Sequence, residues 1–372
     1  MKILYVITST DVGGAEKALL GLVRRLSTDP QIQVKVISLK PLGKVGYRLQ
    51  KVGAQVLSYH MKGLGLEVVG KLRKDIQSFQ PDIVHAMLFR AIEYTRLACP
   101  KNSCKLLTTM HFDLSKKNLF LRKIDSFLKY KDFISLAESQ NTFNFLVKKQ
   151  NYPKRRVLLI QNSPEKQLFF NDFSIRKEMR TRFNYTSQNC VFLSVARLVK
   201  EKNPQLLLKA FYQVWQKYPQ TRLVYVGEGY ERKRLEQFIK NNNLQKAVFL
   251  AGEQPQINDW LNMADFFVLP SIEESLPMAL LEALQVGKPC IASAVGDIPL
   301  WVRTGENGYL IPPHQKEALI KALSFCTVQT DLWDKMQKES LKKAENIKDS
   351  IEEHFHLYQK IMEESFHVKT LN

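Results

Sequence analysis

The chain has 372 residues and a formal net charge of +19, from 55 Lys and Arg residues against 36 Asp and Glu residues. Apolar residues make up 45% of the sequence and charged residues 24%, a balance that excludes a disordered or fibrous protein. At about 150 residues per domain, this length predicts two domains. The excess of positive charge predicts an anionic partner, such as phosphate groups, a nucleic acid or an acidic membrane surface.

The cysteines and the apolar runs indicate the compartment. Five cysteines are scattered through the chain: Cys99, Cys104, Cys190, Cys290 and Cys326. They form no zinc-binding spacing, and their low density is typical of a reducing compartment. The apolar run at residues 3–7 is too short for a signal peptide, and no run approaches the ~18 residues of a membrane span. The sequence therefore predicts a cytoplasmic protein without a transmembrane helix.

Short β-prone runs alternate with helix-period segments such as 16–26, 68–79 and 119–130. We predict strands at 3–8, 33–39, 54–60, 82–87, 105–111, 132–137 and 156–162, and, after a pause near 162–165, at 191–197, 222–227, 247–252, 265–270 and 289–294. This alternation predicts an α/β fold of two Rossmann-like, doubly wound domains that face a cleft. In such sheets, ligands bind at the carboxyl ends of the strands.

The most informative segment follows the predicted strand at 265–270. Ser275 suits a helix N-cap, Pro277 suits a first helical turn, and Gly287 suits a helix end. A helix that begins at the carboxyl end of a strand offers free N–H groups to an anion. Glu282 is the only charge among apolar neighbours on this helix, so sugar hydroxyls would suit it as partners. A thin solvated stripe explains Glu282 equally simply.

Arg197 and Lys202 lie in the loop between a predicted strand and the next helix. Two cations at this spacing can clamp a diphosphate. Ordinary surface charge would produce the same pattern.

Gly13 and Gly14 follow the first strand. Paired glycines allow the backbone to approach a ligand closely, although a simple tight turn has the same signature.

The histidines are weak signals. His85 ends a predicted strand, where it either contacts an acceptor or is a buried, hydrogen-bonded residue. His354 and His356 lie on a presumed helix, where residues two apart do not share a face. We therefore predict no zinc site.

Residues 116–133 combine apolar side chains at helical spacing with five lysines and one arginine. One interpretation is an ordinary helix with a solvated basic side. The other is a peripheral contact with an anionic membrane surface.

Together these segments resemble the retaining glycosyltransferases of the GT-B fold known as family 4 or group 1, over nearly the whole chain. Glu274 and Glu282 fit that family's E-x7-E pattern, and Arg197 and Lys202 fit its basic pair. Three further segments also fit the family: its N-terminal glycine loop (13–16), its GxG (227–229) and its late turn before the last strand (307–310).

The resemblance implies a domain division. Residues 1–163 would form an acceptor-side domain, joined by a C-terminal helix at about 350–372. Residues 164–349 would form the domain that binds a nucleotide-sugar donor.

The resemblance also assigns the donor contacts. The diphosphate would be neutralised by two side chains and the backbone of a helix N-terminus: Arg197 and Lys202, with Ser275, Leu276 and Pro277. Glu282 would bind the ribose, Gly252 would flank the base, and Glu274 would contact the transferred sugar as a catalytic residue.

In the first domain, the resemblance implies that Gly14 approaches the phosphates. His111 matches a catalytic histidine near the transferred sugar. Glu16 and Asp113, with His85 from the argument above, are looser candidates for acceptor contacts.

The implied reaction is transfer with retention, in which the acceptor attacks on the same face and the leaving phosphate helps to take its proton. No D-x-D occurs in the chain, so we predict a reaction without a metal ion. We also predict no cofactor, because the nucleotide-sugar is a substrate. We expect a hexosyl donor carried by UDP, with GDP as the alternative. The acceptor would be a glycan or lipid-linked precursor of cell-surface polysaccharide, lipopolysaccharide or glycolipid, reached from the inner face of the cytoplasmic membrane.

Other functions remain open at this point. A nucleotide-sugar epimerase or hydrolase of the same fold would release nucleotide without an acceptor, whereas a phosphorylase would need a cofactor lysine site that the sequence does not identify. A non-catalytic membrane- or nucleic-acid-binding protein would also carry positive charge. Here the basic residues are dispersed and no nucleic-acid-binding motif occurs, so we expect no nucleic-acid partner.

Overall fold

The structure, a computed structural model, describes residues 1–63, 65–100, 104–110 and 119–363, and of Phe120 only the backbone. These residues divide into two compact units. The first unit is Met1–Ser163 together with the described part of Asp349–Asn372, and the second is Pro164–Lys348.

A seven-stranded parallel sheet forms the centre of the first unit. Its strands are β1 Lys2–Ile7, β2 Gln33–Ser38, β3 Gln55–Ser58, β4 Ile83–Met87, β5 Lys105–Met110, β6 Ile134–Ala137 and β7 Val157–Leu159. Their order is β3-β2-β1-β4-β5-β6-β7. The winding direction reverses between β1 and β4, which makes their carboxyl ends a topological switch point.

Helices cover both faces of this sheet. They are α1 Gly14–Leu26, α2 Lys44–Lys51, α3 Glu67–Phe79, α4 Phe89–Ala98, α5 Leu119–Leu128 and α6 Gln140–Lys148. Successive residues of β1 supply the two cores alternately, because side chains of a strand point to opposite faces. Leu4 and Val6 belong to one apolar cluster, whereas Ile3, Tyr5 and Ile7 belong to the other.

A six-stranded parallel sheet forms the centre of the second unit. Its strands are β8 Cys190–Val195, β9 Thr221–Val226, β10 Val248–Leu250, β11 Phe266–Leu269, β12 Cys290–Ser293 and β13 Gly308–Ile311, in the order β10-β9-β8-β11-β12-β13. Its helices are α7 Phe173–Arg182, α8 Pro204–Lys217, α9 Arg232–Asn241, α10 Ile257–Met263, α11 Met278–Gln285, α12 Ile298–Trp301, α13 Lys316–Val328 and α14 Trp333–Ala344. The switch point of this sheet lies between β8 and β11.

The last helix, α15 Ser350–Met362, packs on the first unit. Asp349 caps it by accepting hydrogen bonds from two backbone N–H groups. Glu352 pairs with Arg25 of α1 at 2.6 Å, and the Tyr358 hydroxyl lies 2.9 Å from that of Tyr5. The predicted α/β fold of two doubly wound sheets, with a C-terminal helix that returns to the first, is confirmed.

Candidate active site

Two loops meet at the switch point of the second sheet. Residues 196–203 follow β8 and carry Arg197 and Lys202, and residues 270–277 follow β11 and carry Glu274. Because β8 and β11 are paired neighbours, their following loops emerge side by side at the carboxyl edge. Residues that the sequence placed in separate motifs therefore share one edge of one sheet.

Lys202 and Glu274 form an ion pair across these loops. The Lys202 Nζ lies 2.5 Å from Glu274 Oε1, and the two side chains are 21% and 7% exposed. The Ser271 hydroxyl donates to the same carboxylate oxygen at 2.7 Å. The backbone N–H of Ile272 donates to the carbonyl of Glu201 at 2.8 Å, which joins the loops a second time.

The loop after β9 supports the Lys202 loop from the other side. Leu198 N–H donates to the carbonyl of Glu228 at 2.8 Å, and Lys200 N–H donates to the Tyr230 hydroxyl at 2.8 Å. Gly227 has φ +138°, and a Cβ there would lie 2.0 Å from the carbonyl oxygen of Ala196. Only glycine fits this approach, which explains the first glycine of the GxG segment.

The helix after β11 begins later than the sequence predicted. Pro277 is the N-cap of α11, with extended φ −75° and ψ 119°, and no side chain caps the helix. The Ser275 carbonyl instead accepts from Asp297 N–H at 2.9 Å, and the first helical bond runs from Leu280 N–H to the Pro277 carbonyl. The prediction of Ser275 as the N-cap is therefore wrong, whereas the helix does begin beyond a strand's carboxyl end.

Glu282 lies inside α11 and is 3% exposed. Its neighbours Leu280, Leu281, Ala283 and Leu284 are also buried. The solvated-stripe interpretation is excluded, because a solvated carboxylate would be accessible to water.

Arg197 and Gly252 occupy the same edge without joining the ion pair. The Arg197 side chain is exposed and, within the part of the chain described, makes no hydrogen bond or ion pair. Gly252 has φ +72°, and its carbonyl accepts from Gly227 N–H at 2.7 Å. Gly252 therefore lies against the GxG loop. In the loop after β11, Leu276 and Pro277 are buried and follow Ser275.

In the first unit, Gly14 is the exposed first residue of α1, and residues 8–13 connect it to the carboxyl end of β1. Glu16, in the first turn, is 8% exposed and accepts from the Ser9 hydroxyl at 3.3 Å. His111 and Asp113 lie outside the described residues.

His85 is fully buried in β4. Its Nδ1 lies 2.6 Å from the Tyr358 hydroxyl and its Nε2 lies 2.6 Å from Thr109 Oγ1. With both ring nitrogens in hydrogen bonds, the geometry favours the structural interpretation of His85 over an acceptor contact.

Two lysines of the basic segment, in the turn that follows α5, bind backbone carbonyls. Lys129 is buried and donates to the backbone carbonyls of Gln150 and Asn151, and Lys131 donates to the carbonyl of Arg96. These two ammonium groups compensate loop and helix-end carbonyls. The exposed side chains of this segment include Leu119, Lys123 and Phe127, while Lys116 and Lys117 lie outside the described residues.

A buried ion cluster attaches α5 to α4. Arg96, which is 0% exposed, pairs with Asp125 of α5 at 2.8 Å and with Asp132 at 2.5 Å. Glu93 also pairs with Arg96 at 2.8 Å, and burial raises the pKa of Glu93 to about 7, more than Arg96 lowers it. The cluster fixes the face that α5 turns toward the domain.

The described ranges hold neither a metal-binding cluster nor a membrane-spanning helix. No group of three or more His, Cys, Asp or Glu side chains there could hold a metal ion. No helix there has both the length and the apolar character needed to cross a bilayer.

Sequence reasoning missed Ser271 and Tyr230. Ser271 lies within the informative segment, but its residue type gave no sign that it would bind Glu274. Tyr230 follows the GxG segment, and only the folded loop brings its hydroxyl to Lys200 N–H.

Family models match both units. The model described as Glycosyl transferases group 1 matches residues 175–343, and the one described as Glycosyltransferase Family 4 matches residues 12–163.

Curated relatives are glycosyltransferases of low identity. An uncharacterized one from Haemophilus influenzae is 22% identical, over 90% of this chain and 93% of its own length. One from Methanocaldococcus jannaschii is 26% identical over 60% of this chain but only 58% of its own length. The Escherichia coli UDP-Gal:alpha-D-GlcNAc-diphosphoundecaprenol alpha-1,3-galactosyltransferase is 34% identical over 36% of this chain and 35% of its own.

The fold matches solved structures over almost the full length. Anabaena HepE in complex with UDP-glucose has a TM-score of 0.85 at 20% identity and covers 97% of this chain and 99% of that one. At that identity, the likeness shows the shared fold. With both units matched by family models and the two-sheet architecture described above, this chain belongs to the group 1, family 4 glycosyltransferases of the GT-B fold.

Proposed function

We propose that this glycosyltransferase moves a hexosyl group from a nucleotide-sugar to a glycan or lipid-linked acceptor, with retention of anomeric configuration and without a metal ion. The observation that carries the proposal is the contact between Lys202 Nζ and Glu274 Oε1, 2.5 Å long, at the switch point of the second sheet. This contact places the Lys202 ammonium, which would bind a diphosphate, next to the Glu274 carboxylate, which would bind a sugar.

The donor would bind along this edge. Lys202 and the exposed Arg197 would neutralise the diphosphate, with help from the backbone near Ser275, Leu276 and Pro277. Glu282 would accept hydrogen bonds from the ribose, and Gly252 would flank the base. UDP is the first nucleotide to test, because the Anabaena protein of the same fold was solved with UDP-glucose.

In the first unit, Gly14 would approach the donor phosphates and His111 would lie near the transferred sugar. Glu16 and Asp113 stay weaker candidates for acceptor contacts. His85 is the least favoured, because its ring nitrogens are already bonded.

The chemical step would break the bond between the sugar C1 and the diphosphate oxygen, and the diphosphate would leave with the bonding electrons. The acceptor hydroxyl oxygen would bond to C1 on the same face, and its proton would pass to the leaving phosphate. Positive charge develops on the sugar ring and negative charge on the diphosphate. Glu274 would stabilise the positive charge on the sugar ring, and Lys202 would stabilise the negative charge on the diphosphate.

Metal independence is part of the proposal. The chain contains no D-x-D sequence, the carboxylate pattern that would hold a metal against a diphosphate. Arg197 and Lys202 would supply the positive charge in its place.

The acceptor side would include a membrane contact through α5. Leu119, Lys123 and Phe127 are four residues apart and so share one face of the helix. Leu119 and Phe127 are 72% and 82% exposed, and Asp125 on the opposite face is bonded to buried Arg96. Exposed apolar side chains beside a lysine, on a chain of net charge +19, suit an anionic lipid surface.

Vesicle sedimentation tests the membrane contact. We expect salt-sensitive binding to phosphatidylglycerol vesicles, weakened by Phe127→Ser and by Lys123→Ser. Phe173→Ser is the matched control, because Phe173 is 78% exposed but lies in the second unit. Binding that is indifferent to salt and to the α5 variants would refute the contact without touching the transferase proposal.

Nucleotide release tests the transferase proposal. UDP-, GDP- and ADP-sugars are each incubated with enzyme and EDTA, with and without a bacterial lipid extract. We expect lipid-stimulated release from one donor, slowed strongly but still measurable in Glu274→Gln and unchanged in Glu306→Gln. Glu306 is the matched control, because its side chain is 55% exposed and precedes β13 at the opposite edge of the sheet.

Two results would overturn the proposal. Release that requires added Mg²⁺ or Mn²⁺ would contradict metal independence. Complete release of free sugar and nucleotide without any acceptor would favour the epimerase or hydrolase alternative. The anomeric configuration of the product, read by NMR, tests retention.

A further inference from the structure

The Glu274 carboxylate is held through one of its two oxygens. Ser271 Oγ donates to Oε1 at 2.7 Å, and Lys202 Nζ donates to the same oxygen at 2.5 Å. Within the part of the chain described, Oε2 makes no hydrogen bond or ion pair, and the side chain keeps 7% exposure. The protein therefore fixes one oxygen and leaves the other available to a ligand.

Ser271 is placed to fix that oxygen. It is 0% exposed and follows β11 by two residues, so its backbone is close to the rigid edge of the sheet. Its neighbour Ile272 donates to the carbonyl of Glu201, which precedes Lys202. The hydroxyl and the ammonium thus approach Glu274 from two anchored segments. A buried hydroxyl rarely lacks a partner, and the described partner of this one is Glu274.

A lysine alone would hold the carboxylate loosely. The ammonium group is a point charge at the end of a flexible side chain, so it fixes distance better than orientation. A second donor from a short, buried side chain restricts rotation of the carboxyl group. It does so without adding a second positive charge beside the carboxylate.

We propose that Ser271 is a positioning residue, whose hydroxyl orients the Glu274 carboxylate so that Oε1 takes Lys202 and Oε2 takes the transferred sugar. This inference rests on the proposed function. It adds a residue to the site that acts through Glu274 and touches neither donor nor acceptor.

Ser271→Ala tests the role by comparing kcat with binding. We expect kcat to fall by about tenfold to a hundredfold, as for other small losses of alignment, while donor KM and the Kd of the nucleoside diphosphate change less than about twofold. Ser340→Ala is the matched control. Ser340 is also 0% exposed, and its hydroxyl has no partner among the described residues of the second unit. It should leave kcat unchanged.

A double-mutant cycle separates positioning from general damage. If Ser271 acts through Glu274, Ser271→Ala should lower kcat no further in a Glu274→Gln background. Two outcomes would make Ser271 an ordinary structural residue and overturn the inference. One is an additive loss of kcat in the double variant. The other is a rise in the Kd of the nucleoside diphosphate as large as the fall in kcat.

A spectroscopic measurement tests the contact without turnover. In protein labelled with ¹³C at the glutamate carboxyl groups, Glu274→Gln assigns the Glu274 resonance. Ser271→Ala should shift this resonance, and Ser340→Ala should not. An unshifted resonance would overturn the inference. A wild-type enzyme that releases no nucleotide from any donor would overturn the proposed function, while the resonance still decides whether Ser271 holds Glu274.

Discussion

The Nζ of Lys202 lies 2.5 Å from Oε1 of Glu274, although the two residues are 72 positions apart in the chain. Glu274 is nearly buried, and an unpaired carboxylate in such a place would cost several kcal/mol. The pair therefore stabilises the two loops that carry these residues. It also means that a diphosphate arriving at Lys202 must share this cation with the carboxylate assigned to the sugar.

This sharing predicts different effects of the two single substitutions. Lys202→Met should weaken nucleoside diphosphate binding and destabilise the second unit by about 1–3 kcal/mol, because it strands the Glu274 carboxylate. Glu274→Gln should leave diphosphate binding intact or strengthen it, because Lys202 loses a competitor.

Calorimetry and urea denaturation of both single variants and the double variant measure these effects. The double variant should regain much of the stability lost by Lys202→Met. Independent, additive losses of stability would show that the ion pair has no coupling energy.

Gly296 is predicted to be essential to the Glu274 loop. It has φ +55°, and a Cβ there would lie 2.2 Å from the carbonyl oxygen of Glu274 and 2.6 Å from that of Ser275. Gly296→Ala must displace this backbone, so we expect kcat/KM to fall by at least about tenfold.

Gly305→Ala is the control for Gly296→Ala. Gly305 has φ +82° but nothing within 4 Å of its Cβ position, so alanine brings backbone strain without a clash. We expect a stability loss of about 1–2 kcal/mol and unchanged kcat/KM. If the two variants lost activity equally, the close contact with Glu274 would not be the cause.

The sequence located the strands well and their ends poorly. Strands buried on both faces give continuous apolar runs, which is why each predicted strand is present in the two sheets. The run at 156–162 shows the difficulty. β7 covers only Val157–Leu159, because its partner β6 ends at Ala137, which pairs with Leu159. Only Ile160 continues the apolar run beyond the last pair, and Gln161 and Asn162 are polar, so the predicted end lies beyond both the pairing and the apolar run.

The sequence could name candidate residues that belong to a motif. It could not predict which side chains contact one another. The E-x7-E spacing names Glu274 and Glu282, and the sequence already placed Glu282 on a helix. It did not show that Glu274 lies in a loop beside Lys202. His85 could not be assigned from its strand, because its partner Tyr358 is 273 residues away. Such side-chain partnerships depend on tertiary packing, which local patterns do not encode.

Tyr230 is predicted to support Lys202 through the backbone of its turn. Its hydroxyl accepts from Lys200 N–H at 2.8 Å, while its ring is 65% exposed. Tyr230→Phe removes this bond and little else. We expect nucleoside diphosphate binding to weaken by about twofold to tenfold, the range for ~0.5–1.5 kcal/mol.

The control for Tyr230 is Tyr212→Phe. Tyr212 is half-buried on α8 and packs edge-on against Phe238. Calorimetry should show that Tyr212→Phe binds the nucleoside diphosphate with wild-type affinity. Equal affinities for wild type and Tyr230→Phe would mean that the Lys200 turn holds its shape without the tyrosine.

The stability of the second unit should depend on pH through Lys288. This residue is 4% exposed, and burial, aided by Arg176, lowers the pKa of its amine to about 7, against the opposing effect of Asp265. The unfolded chain keeps an ordinary lysine pKa of about 10.4. Between these values the unfolded state binds more protons, so raising the pH from about 7 to about 10.4 stabilises the fold. Below pH 7 the penalty for burying the charged amine is fully present.

Lys288→Met should remove this pH-dependent penalty while keeping a side chain of similar length. We expect the variant to be more stable than wild type at pH 6 and its advantage to shrink steadily toward pH 10, as measured by urea denaturation at several pH values. Lys246→Met, at an exposed lysine of the same unit, should change stability little at any of them. A constant difference between Lys288→Met and wild type across this range would show that the Lys288 amine titrates alike in the folded and unfolded chain.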